Sequence, residues 1–315
     1  MAGWHELPKA ELHLHLEGSV TQETMRLLAP DLSEDEIRAR YSFGNFAGFL
    51  ECFGWVVKRI RTPEDYALIT RQLLADLERQ NVRYAEITLS AGVVLWKKQE
   101  FGPIYDAVQR AARSSPVEVQ WNVDAIRHFG VEHVMQVAEL AAERVGDGVV
   151  SFGIGGDEAR GPAEWFTDVY RFAHEKGLRL TAHAGEAAGP ESVWRALELG
   201  AERIGHGIRS VEDSALLKHL RDRDIPLEIS ITSNVATGVV ASLAEHPVRR
   251  IYDAGVPIVL NTDDPGIFGT TLEREYEIAA TAFGFSDAEL QQIAGNGFRY
   301  AFRIDRGRGD LRNVH

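Results

Sequence analysis

The sequence predicts a single (β/α)8 barrel of the TIM type, with a helical insertion after the first strand. Eight short apolar or β-branched segments alternate with longer amphipathic segments along the 315 residues, and no segment rich in Pro, Gly or Ser divides the chain. Strands that are apolar on both faces and separated by helices are typical of a parallel sheet buried on both sides. The chain length fits one such barrel. We therefore expect one domain over residues 1–315.

The order of the elements follows from these patterns. We expect strands near 10–15, 83–89, 118–124, 149–154, 178–183, 202–206, 225–231 and 256–262. Amphipathic periodicity predicts helices at 163–176, 190–199, 212–223 and 241–254. The insertion, 19–80, carries aromatic residues whose spacing indicates mainly helix packing: Phe43, Phe46, Phe49, Phe53 and Trp55. Because a connection after a barrel strand lies at the active-site mouth, we expect the insertion there, with part of it as a candidate lid.

Composition limits the kind of partner that the protein binds. Hydrophobic residues make up 44% of the chain and charged residues 26%, as in an ordinary globular protein. The formal net charge of −13 argues against nucleic acid, because phosphate binding needs a basic surface. The only cysteine, Cys52, excludes an intrachain disulfide and a cysteine-rich zinc site. With no leader pattern and no apolar run of about 18 residues, we expect a cytoplasmic protein with a small-molecule partner and no membrane partner.

Two histidines in the first expected strand, His13 and His15, indicate a metal site. Side chains at i and i+2 of a strand lie on the same face, with Cα atoms roughly 6.6 Å apart. Both rings can therefore reach one zinc ion, about 2.1 Å from each nitrogen. A single histidine on a half-buried strand is more often a hydrogen-bonded structural group, so the pair needs partners elsewhere in the chain.

Further ionisable residues follow the ends of later strands. His183 and Glu186 follow the fifth strand, His206 ends the sixth, and Asp263 and Asp264 follow the eighth. Taken singly, each of these residues is compatible with a structural role. A histidine can be a hydrogen-bonded core residue, and Glu186 can be a solvated loop acid. The two aspartates can cap the N-terminus of a helix. In a barrel, however, catalytic groups come from the C-terminal ends of different strands. The joint placement therefore predicts that these groups meet the two N-terminal histidines in one site.

Six motifs together resemble the adenosine deaminase family of metal-dependent amidohydrolases. They agree with it in residue type, spacing and order from residue 8 to about 270. The resemblance implies a barrel with one zinc ion that replaces the 6-amino group of a purine by oxygen. The motifs are PKAELHLHLEG at 8–18, GDE at 156–158, HAGE at 183–186, RIGHG at 203–207, TSN at 232–234 and NTDDP at 261–265.

The resemblance also implies a ligand set. His13, His15, His183 and Asp263 would bind one Zn²⁺ per chain, and a water or hydroxide would complete the open site. Zinc in such a site lowers the pKa of its water enough to supply hydroxide at neutral pH. None of the eight expected strand ends carries the lysine that bridges two metals in binuclear relatives, so we expect one ion.

The remaining site residues receive roles from the same resemblance. Glu186 would donate a proton to purine N1, and His206 would orient or deprotonate the water. Asp264 would hydrogen-bond N7, and the backbone N–H of Gly156 would meet N3. The chemistry agrees with this division, because an aromatic C6 resists attack until the ring accepts a proton. Whether His206 acts as a base or as an electrostatic aid stays open.

The sequence lacks the motifs of several other classes of hydrolases and deaminases. The chain has no His-x-Glu with Pro-Cys-x-x-Cys, the pattern of base-editing zinc deaminases. It also has no Gly-x-Ser-x-Gly and no Gly-x-x-x-x-Gly-Lys. A catalytically silent binding barrel would require the loss of a ligand or of Glu186, and neither is lost.

The substrate is harder to derive. Glu17 stands where adenosine deaminases usually have Asp, the acid that holds the sugar's 5′-hydroxyl. A glutamate at this position looks more like adenine deaminases and aminofutalosine deaminases, whereas the motif at 156–158 resembles the nucleoside enzymes. The segment 264–272 also looks like deaminases of 6-aminodeoxyfutalosine, a nucleoside of menaquinone synthesis with a bulky aryl ketone at its 5′ position. We therefore favour this substrate, with adenosine or deoxyadenosine of purine salvage as one alternative and adenine as another. Its acidic aryl group makes four basic residues candidate partners: Arg59, Arg61, Lys97 and Lys98.

Overall fold

Eight parallel strands form one sheet in chain order in the computed structural model, which describes residues 3–303. Beyond the last strand, the backbone of Asp263 pairs with the first. The N–H of His15 donates to the carbonyl of Asp263 at 2.7 Å, and the N–H of Asp263 donates to the carbonyl of His13 at 3.1 Å. This pairing brings the two ends of the sheet together, and the predicted barrel is confirmed. The strands are β1 (Lys9–His15), β2 (Val82–Leu89), β3 (Glu118–Ile126), β4 (Val149–Gly155), β5 (Arg179–Ala184), β6 (Arg203–His206), β7 (Leu227–Ile229) and β8 (Ile258–Leu260).

The last two strands are shorter than the sequence predicts. Pro226 and Pro257 immediately precede β7 and β8, and proline has no N–H to donate to a neighbouring strand. At its other end β7 stops because Ile231 already begins a helix. The apolar character of 225–231 thus comes partly from a strand and partly from the helix that follows it.

Helices surround the barrel and connect its strands. The expected helix at 241–254 is interrupted, because Pro247 holds the preceding His246 in an extended conformation at φ −64° and ψ 127°. Short 3₁₀ segments cover Trp4–Glu6, Glu17–Ser19, Arg127–Phe129, Ala163–Phe166, Ile208–Glu212 and Leu243–Glu245. The helices are α1 (Gln22–Leu28), α2 (Glu34–Arg40), α3 (Phe46–Val57), α4 (Pro63–Arg79), α5 (Ala91–Trp96), α6 (Phe101–Ala112), α7 (Val131–Ala142), α8 (Thr167–Glu175), α9 (Pro190–Glu198), α10 (Ser214–Asp222), α11 (Ile231–Ala236), α12 (Val248–Asp253), α13 (Pro265–Phe268), α14 (Leu272–Phe283) and α15 (Asp287–Arg299).

Local sequence signals explain where several helices begin. Ser33, Thr62 and Ser286 each accept a hydrogen bond from the backbone N–H three residues later, and the acid at that position bonds back to them. These capping boxes satisfy backbone donors that the first turn of a helix leaves free. Between residues 3 and 303, no helix combines the length and apolar character needed to cross a membrane.

The insertion between β1 and β2 consists of the four helices α1 to α4. Part of it reaches the C-terminal ends of the strands, where the aromatic face of α3 packs against α13. The rings of Phe49 and Phe268 stack there with centroids 5.0 Å apart. A role of the insertion as a lid stays a prediction.

Candidate metal centre and active site

Side chains from β1, β5 and the turn after β8 converge inside the C-terminal end of the barrel. The Nε2 atoms of His15 and His183 lie 3.2 Å apart. Oδ1 of Asp263 lies 3.3 Å from Nε2 of His13 and 3.3 Å from Nε2 of His15. Four ligands placed tetrahedrally about 2.1 Å from one ion lie about 3.4 Å from one another. The spacing therefore fits donor atoms that share one metal ion.

Hydrogen bonds behind the histidines aim the correct ring nitrogens at this point. Nδ1 of His13 donates to the Glu228 carboxylate at 2.9 Å, and Nδ1 of His183 donates to the carbonyl of Ile154 at 3.1 Å. Each ring therefore turns the lone pair of Nε2 inward, as metal-binding histidines do. Nε2 of His13 is buried and has no hydrogen-bond partner among the described residues. A donor set of neutral imidazoles and one carboxylate with such an orphaned nitrogen fits Zn²⁺.

A buried ion network supports His13 from below. Arg203 is 1% exposed, and it pairs with Glu86 at 2.5 Å and with Glu228 at 2.6 Å. Burial alone would raise the pKa of Glu228, but Arg203 and His13 outweigh it and lower that pKa. The carboxylate therefore stays charged and keeps its hold on His13. Sequence reasoning missed Glu86 and Glu228, which lie in strands without a recognised motif.

The backbone is strained where two site residues leave their strands. His206 has a φ of 61° and Asp263 a φ of 67°, in the left-handed region that side chains other than glycine rarely adopt. Such strain persists only where surrounding contacts impose it, and it is common at functional sites. Oδ2 of Asp263 accepts a hydrogen bond from the Ser233 hydroxyl at 2.6 Å, which helps to hold this carboxylate in place.

His206 lies beside the four expected ligands and also qualifies by distance for a metal-binding group with His13, His183 and Asp263. Its Nε2 is 3.7 Å from Oε2 of Glu186 and 3.9 Å from Oδ2 of Asp263. The longer distances favour a place next to the ion over direct ligation. Burial lowers the pKa of His206 to about 4, so the ring is neutral at pH 7.

A chain of hydrogen bonds assigns the tautomer of His206. The N–H of Val248 donates to Nδ1 of His246, so Nε2 of His246 carries the proton and donates to Oδ1 of Asn234. The amide nitrogen of Asn234 then donates to Nδ1 of His206 at 3.0 Å. Because a backbone N–H can only donate, this direction places the proton of neutral His206 on Nε2, facing the metal centre.

One buried carboxylate holds the loop that carries Glu186. Glu158 accepts hydrogen bonds from the backbone N–H groups of four consecutive residues: Gly185 at 2.9 Å, Glu186 at 3.0 Å, Ala187 at 2.9 Å and Ala188 at 3.3 Å. The Ser192 hydroxyl also donates to it. Glu158 is the last residue of the motif at 156–158, but sequence reasoning gave it no role.

Replacing Glu158 by Gln should destabilise the fold by roughly 2–3 kcal/mol and lower kcat, because the amide group cannot accept from all of these donors. Urea unfolding and steady-state rates measure the two effects. The matched control is Glu164→Gln, at an exposed glutamate six residues later, where we expect a change within about 0.5 kcal/mol. Wild-type stability and rate in Glu158→Gln would show that the loop does not depend on this carboxylate.

Two glycines of the motifs are required by close packing in the site. A Cβ on Gly18 would lie 1.7 Å from Oδ1 of Asp264, and a Cβ on Gly205 would lie 2.7 Å from Cε1 of His13. Neither position has room for a side chain. Asp264 is 3% exposed, and burial together with the Asp263 carboxylate raises its pKa well above the usual range.

A cavity of about 260 Å³ opens from the metal centre to the surface. Its inner wall contains His15, His183, Glu186, His206, Asp263, Asp264 and Gly156. Its outer wall is apolar and comes largely from α3 and two other segments, with Phe46, Phe49, Leu50, Phe53, Trp96 and Phe129. Three of the five aromatic residues noted in the insertion thus face the cavity, and Phe43 and Trp55 do not.

Glu17 and the four basic candidates do not line the cavity. Glu17 is 0% exposed, and its carboxylate accepts a hydrogen bond from the backbone N–H of Ser90 at 3.2 Å. Ser90 itself lines the cavity, so Glu17 lies one layer behind the wall. Among the basic residues, Lys97 donates to the carbonyl of Ile60, and the Arg59 guanidinium lies 4.8 Å from the ring centroid of Trp55.

Comparison with known proteins gives consistent matches over nearly the whole chain. The family model described as adenosine deaminase matches residues 8–314. The aminodeoxyfutalosine deaminase of Streptomyces coelicolor is 39% identical over 310 residues, which cover 94% of this chain and 80% of that protein. The adenine deaminase of Rhizobium leguminosarum bv. trifolii is 39% identical over 305 residues, which cover 94% and 95%. The crystal structure of an amidohydrolase from Burkholderia ambifaria with bound zinc has a TM-score of 0.88 at 28% identity and covers 96% and 87%.

Proposed function

The chain belongs to the adenosine deaminase family, and from this premise we propose that it is a zinc-dependent purine nucleoside deaminase. It would replace the 6-amino group by oxygen and release ammonia. We propose 6-aminodeoxyfutalosine as the favoured substrate, which would place the enzyme in menaquinone synthesis. The observation that carries this choice is the apolar outer half of the cavity, because a free base bound at the metal centre would leave those aromatic side chains without a partner.

The proposed metal ligands are His13, His15, His183 and Asp263, whose donor atoms lie close enough together to share one ion. A Zn²⁺ ion held there would lower the pKa of a water molecule to about 7 and so supply the nucleophile. Glu228 and the Ile154 carbonyl keep two of the rings in the orientation that binding requires.

Glu186 is proposed as the acid that protonates purine N1. Burial and the nearby carboxylates Asp263 and Glu158 raise the pKa of Glu186 well above its usual range. The carboxyl group therefore keeps its proton near neutral pH and can donate it as C6 becomes tetrahedral. The hydrogen bonds of Glu158 to the loop backbone hold this acid against the inner wall of the cavity.

His206 is proposed to donate a hydrogen bond toward the attacking oxygen. The chain from Val248 through His246 and Asn234 leaves the proton on Nε2 of His206, and that nitrogen faces the metal centre. A neutral imidazole with this tautomer orients and polarises an oxygen, and it has no free lone pair there to act as a base.

Asp264 and Gly156 are proposed to hold the purine ring. Both line the cavity, and Oδ1 of Asp264 is buried without a hydrogen-bond partner in the described part of the chain. The raised pKa of Asp264 gives it a proton to share with purine N7. The N–H of Gly156 would meet N3 on the opposite edge of the ring. Glu17 would influence the 5′ end indirectly, through Ser90.

Adenosine and adenine remain the alternative substrates. The rhizobial adenine deaminase matches the chain at the same 39% identity as the streptomycete enzyme, so overall identity does not separate them. None of the four basic candidates lines the cavity. We therefore expect the acid group of an aryl substituent to stay hydrated at the open mouth.

The test is the ratio of kcat/KM for 6-aminodeoxyfutalosine, adenosine and adenine with the zinc-loaded enzyme, followed by the ultraviolet change from 6-amino to 6-oxo purine. We expect a preference of about 100-fold or more for 6-aminodeoxyfutalosine, or about 2.7 kcal/mol. Phe49→Ala should reduce this preference. Phe43→Ala, at a neighbouring ring that does not line the cavity, should preserve it. A preference for adenosine or adenine would refute the proposed substrate.

A further inference from the structure

Asp124 is a buried carboxylate on the cavity wall that none of these roles uses. It lies near the end of β3 and is 4% exposed, and its Oδ1 has no hydrogen-bond partner between residues 3 and 303. Burying a carboxylate oxygen without a hydrogen-bond donor costs free energy, and native proteins keep few such atoms. Oδ1 of Asp124 therefore calls for a donor that the described residues do not provide.

Neighbouring residues locate this carboxylate within the cavity. A Cβ on Gly155 would lie 3.0 Å from Oδ2 of Asp124 and 3.4 Å from the His183 ring. Asp124 thus lies over the backbone of Gly155, directly before Gly156, and beside a proposed metal ligand. It is at the deep end of the cavity, next to the place proposed for the purine.

The position of Gly156 indicates which part of the substrate comes near. If its N–H meets purine N3, then N9, the ring atom two bonds from N3, also lies on this side, and N9 carries the sugar. A carboxylate oxygen that lacks a donor can accept a hydrogen bond. The donors that a ribose offers are its hydroxyl groups, and 6-aminodeoxyfutalosine keeps the 2′- and 3′-hydroxyls although its 5′ carbon bears the aryl ketone.

Glu17, the other acid near this end, is not placed to make the same contact. It is fully buried behind Ser90, whose N–H it binds. Ser90 and Asp124 both line the cavity, and Glu17 does not. Asp124 is therefore the acid with direct access to the sugar.

We propose that Asp124 accepts a hydrogen bond from a secondary hydroxyl of the ribose, 2′ or 3′, and so selects ribonucleosides. This inference rests on the proposed function, because it takes the purine orientation from it. Asp124 would be a specificity-determining residue with no part in the proton transfers at C6 and N1.

The experiment compares kcat/KM for adenosine, 2′-deoxyadenosine and 3′-deoxyadenosine in the wild type, Asp124→Asn and Asp124→Ala. In the wild type, loss of the contacted hydroxyl should lower kcat/KM by about 10- to 100-fold, as for a hydrogen bond to a charged group. In Asp124→Ala this difference should fall below about 3-fold, because adenosine loses activity and the contacted deoxy substrate does not. Asp124→Asn, whose amide oxygen still accepts a weaker hydrogen bond, should give an intermediate ratio. Glu132→Gln, at an exposed glutamate of α7, is the control and should leave the ratio as in the wild type.

Two results would overturn the proposal. One is an equal loss for all three nucleosides in the variants, which would indicate a general positioning role. The other is a loss for adenine as large as that for adenosine, which would indicate that the carboxylate meets the N9–H of the free base. Metal content and thermal unfolding of the variants separate these results from misfolding.

Failure of the proposed function would look different, because the wild type would then turn over none of the nucleosides. Calorimetry tests the hydroxyl contact without turnover, by comparing the affinities for inosine, 2′-deoxyinosine and 3′-deoxyinosine. Tighter binding of inosine that disappears in Asp124→Ala would support the role of Asp124. Equal binding of the three ligands by the wild type would refute it.

Discussion

Replacement of Glu186 by Gln should lower kcat by about 10²- to 10⁴-fold, the usual contribution of a positioned general acid. The amide has nearly the shape of the carboxyl group but cannot give up a proton to the purine ring. Burial and neighbouring carboxylates raise the pKa of Glu186, so the wild-type side chain carries that proton near neutral pH. The rate and the zinc content of the purified variant are the two measurements.

Zinc content distinguishes the acid from a ligand. Glu186→Gln should retain one zinc per chain, because the proposed ligands are other residues. Glu191→Gln, at a nearby residue of the first turn of α9, serves as the matched control and should keep its activity. Near-normal turnover in Glu186→Gln would refute the assigned proton transfer. Loss of zinc in this variant would indicate that Glu186 is a metal ligand.

Removal of the metal with a chelator should abolish deamination, and one equivalent of Zn²⁺ per chain should restore it. Alanine at His183 or Asp263 should prevent the restoration at one equivalent, because each variant removes a proposed ligand and so weakens zinc binding. His174→Ala, at an exposed histidine of α8, should behave as the wild type. Full activity of the stripped protein would refute zinc dependence.

Titration of the metal-free protein with Zn²⁺ should release protons, and the affinity for zinc should rise with pH. Burial alone would lower the pKa of His13, but Asp263 and Glu228 outweigh it and raise that pKa to about 10 in the metal-free protein. The pKa of His15 is likewise raised to about 9, since the Asp264 and Asp263 carboxylates outweigh burial. Zinc needs neutral imidazoles and must therefore displace these protons. Calorimetry in buffers of different ionisation enthalpy counts them; binding without proton release would contradict the ligand set.

Much of the molecule follows from short-range patterns. The alternation of apolar segments and amphipathic helices gave the eight strands within a few residues, because burial on both faces leaves a strong local signal. Prolines explain part of the differences, because they delayed the start of β7 and β8 and interrupted the helix at 241–254. The early end of β7 comes from the helix that begins at Ile231. The convergence of His183 and Asp263 on β1 was also predictable, because barrel topology places the ends of all strands at one rim.

The groups that support the site were not predictable in the same way. Glu228 behind His13, Glu158 beneath the Glu186 loop and the His246–Asn234 pair behind His206 act across long separations in sequence. Glu158 and Asn234 belong to motifs, but no spacing in the sequence shows which loop or ring each of them holds. Only the folded backbone shows which carboxylate or amide meets which ring.

By itself, the sequence determined the barrel, the family of hydrolytic deaminases and the set of candidate ligands, because these depend on residue type, periodicity and position at strand ends. The tertiary structure decided which nitrogen of each imidazole faces inward and which aromatic side chains of α3 line the cavity. It also decided that Asp124 faces the cavity while Glu17 lies behind Ser90. These are properties of distance and direction between remote residues, and packing sets them only when the barrel closes.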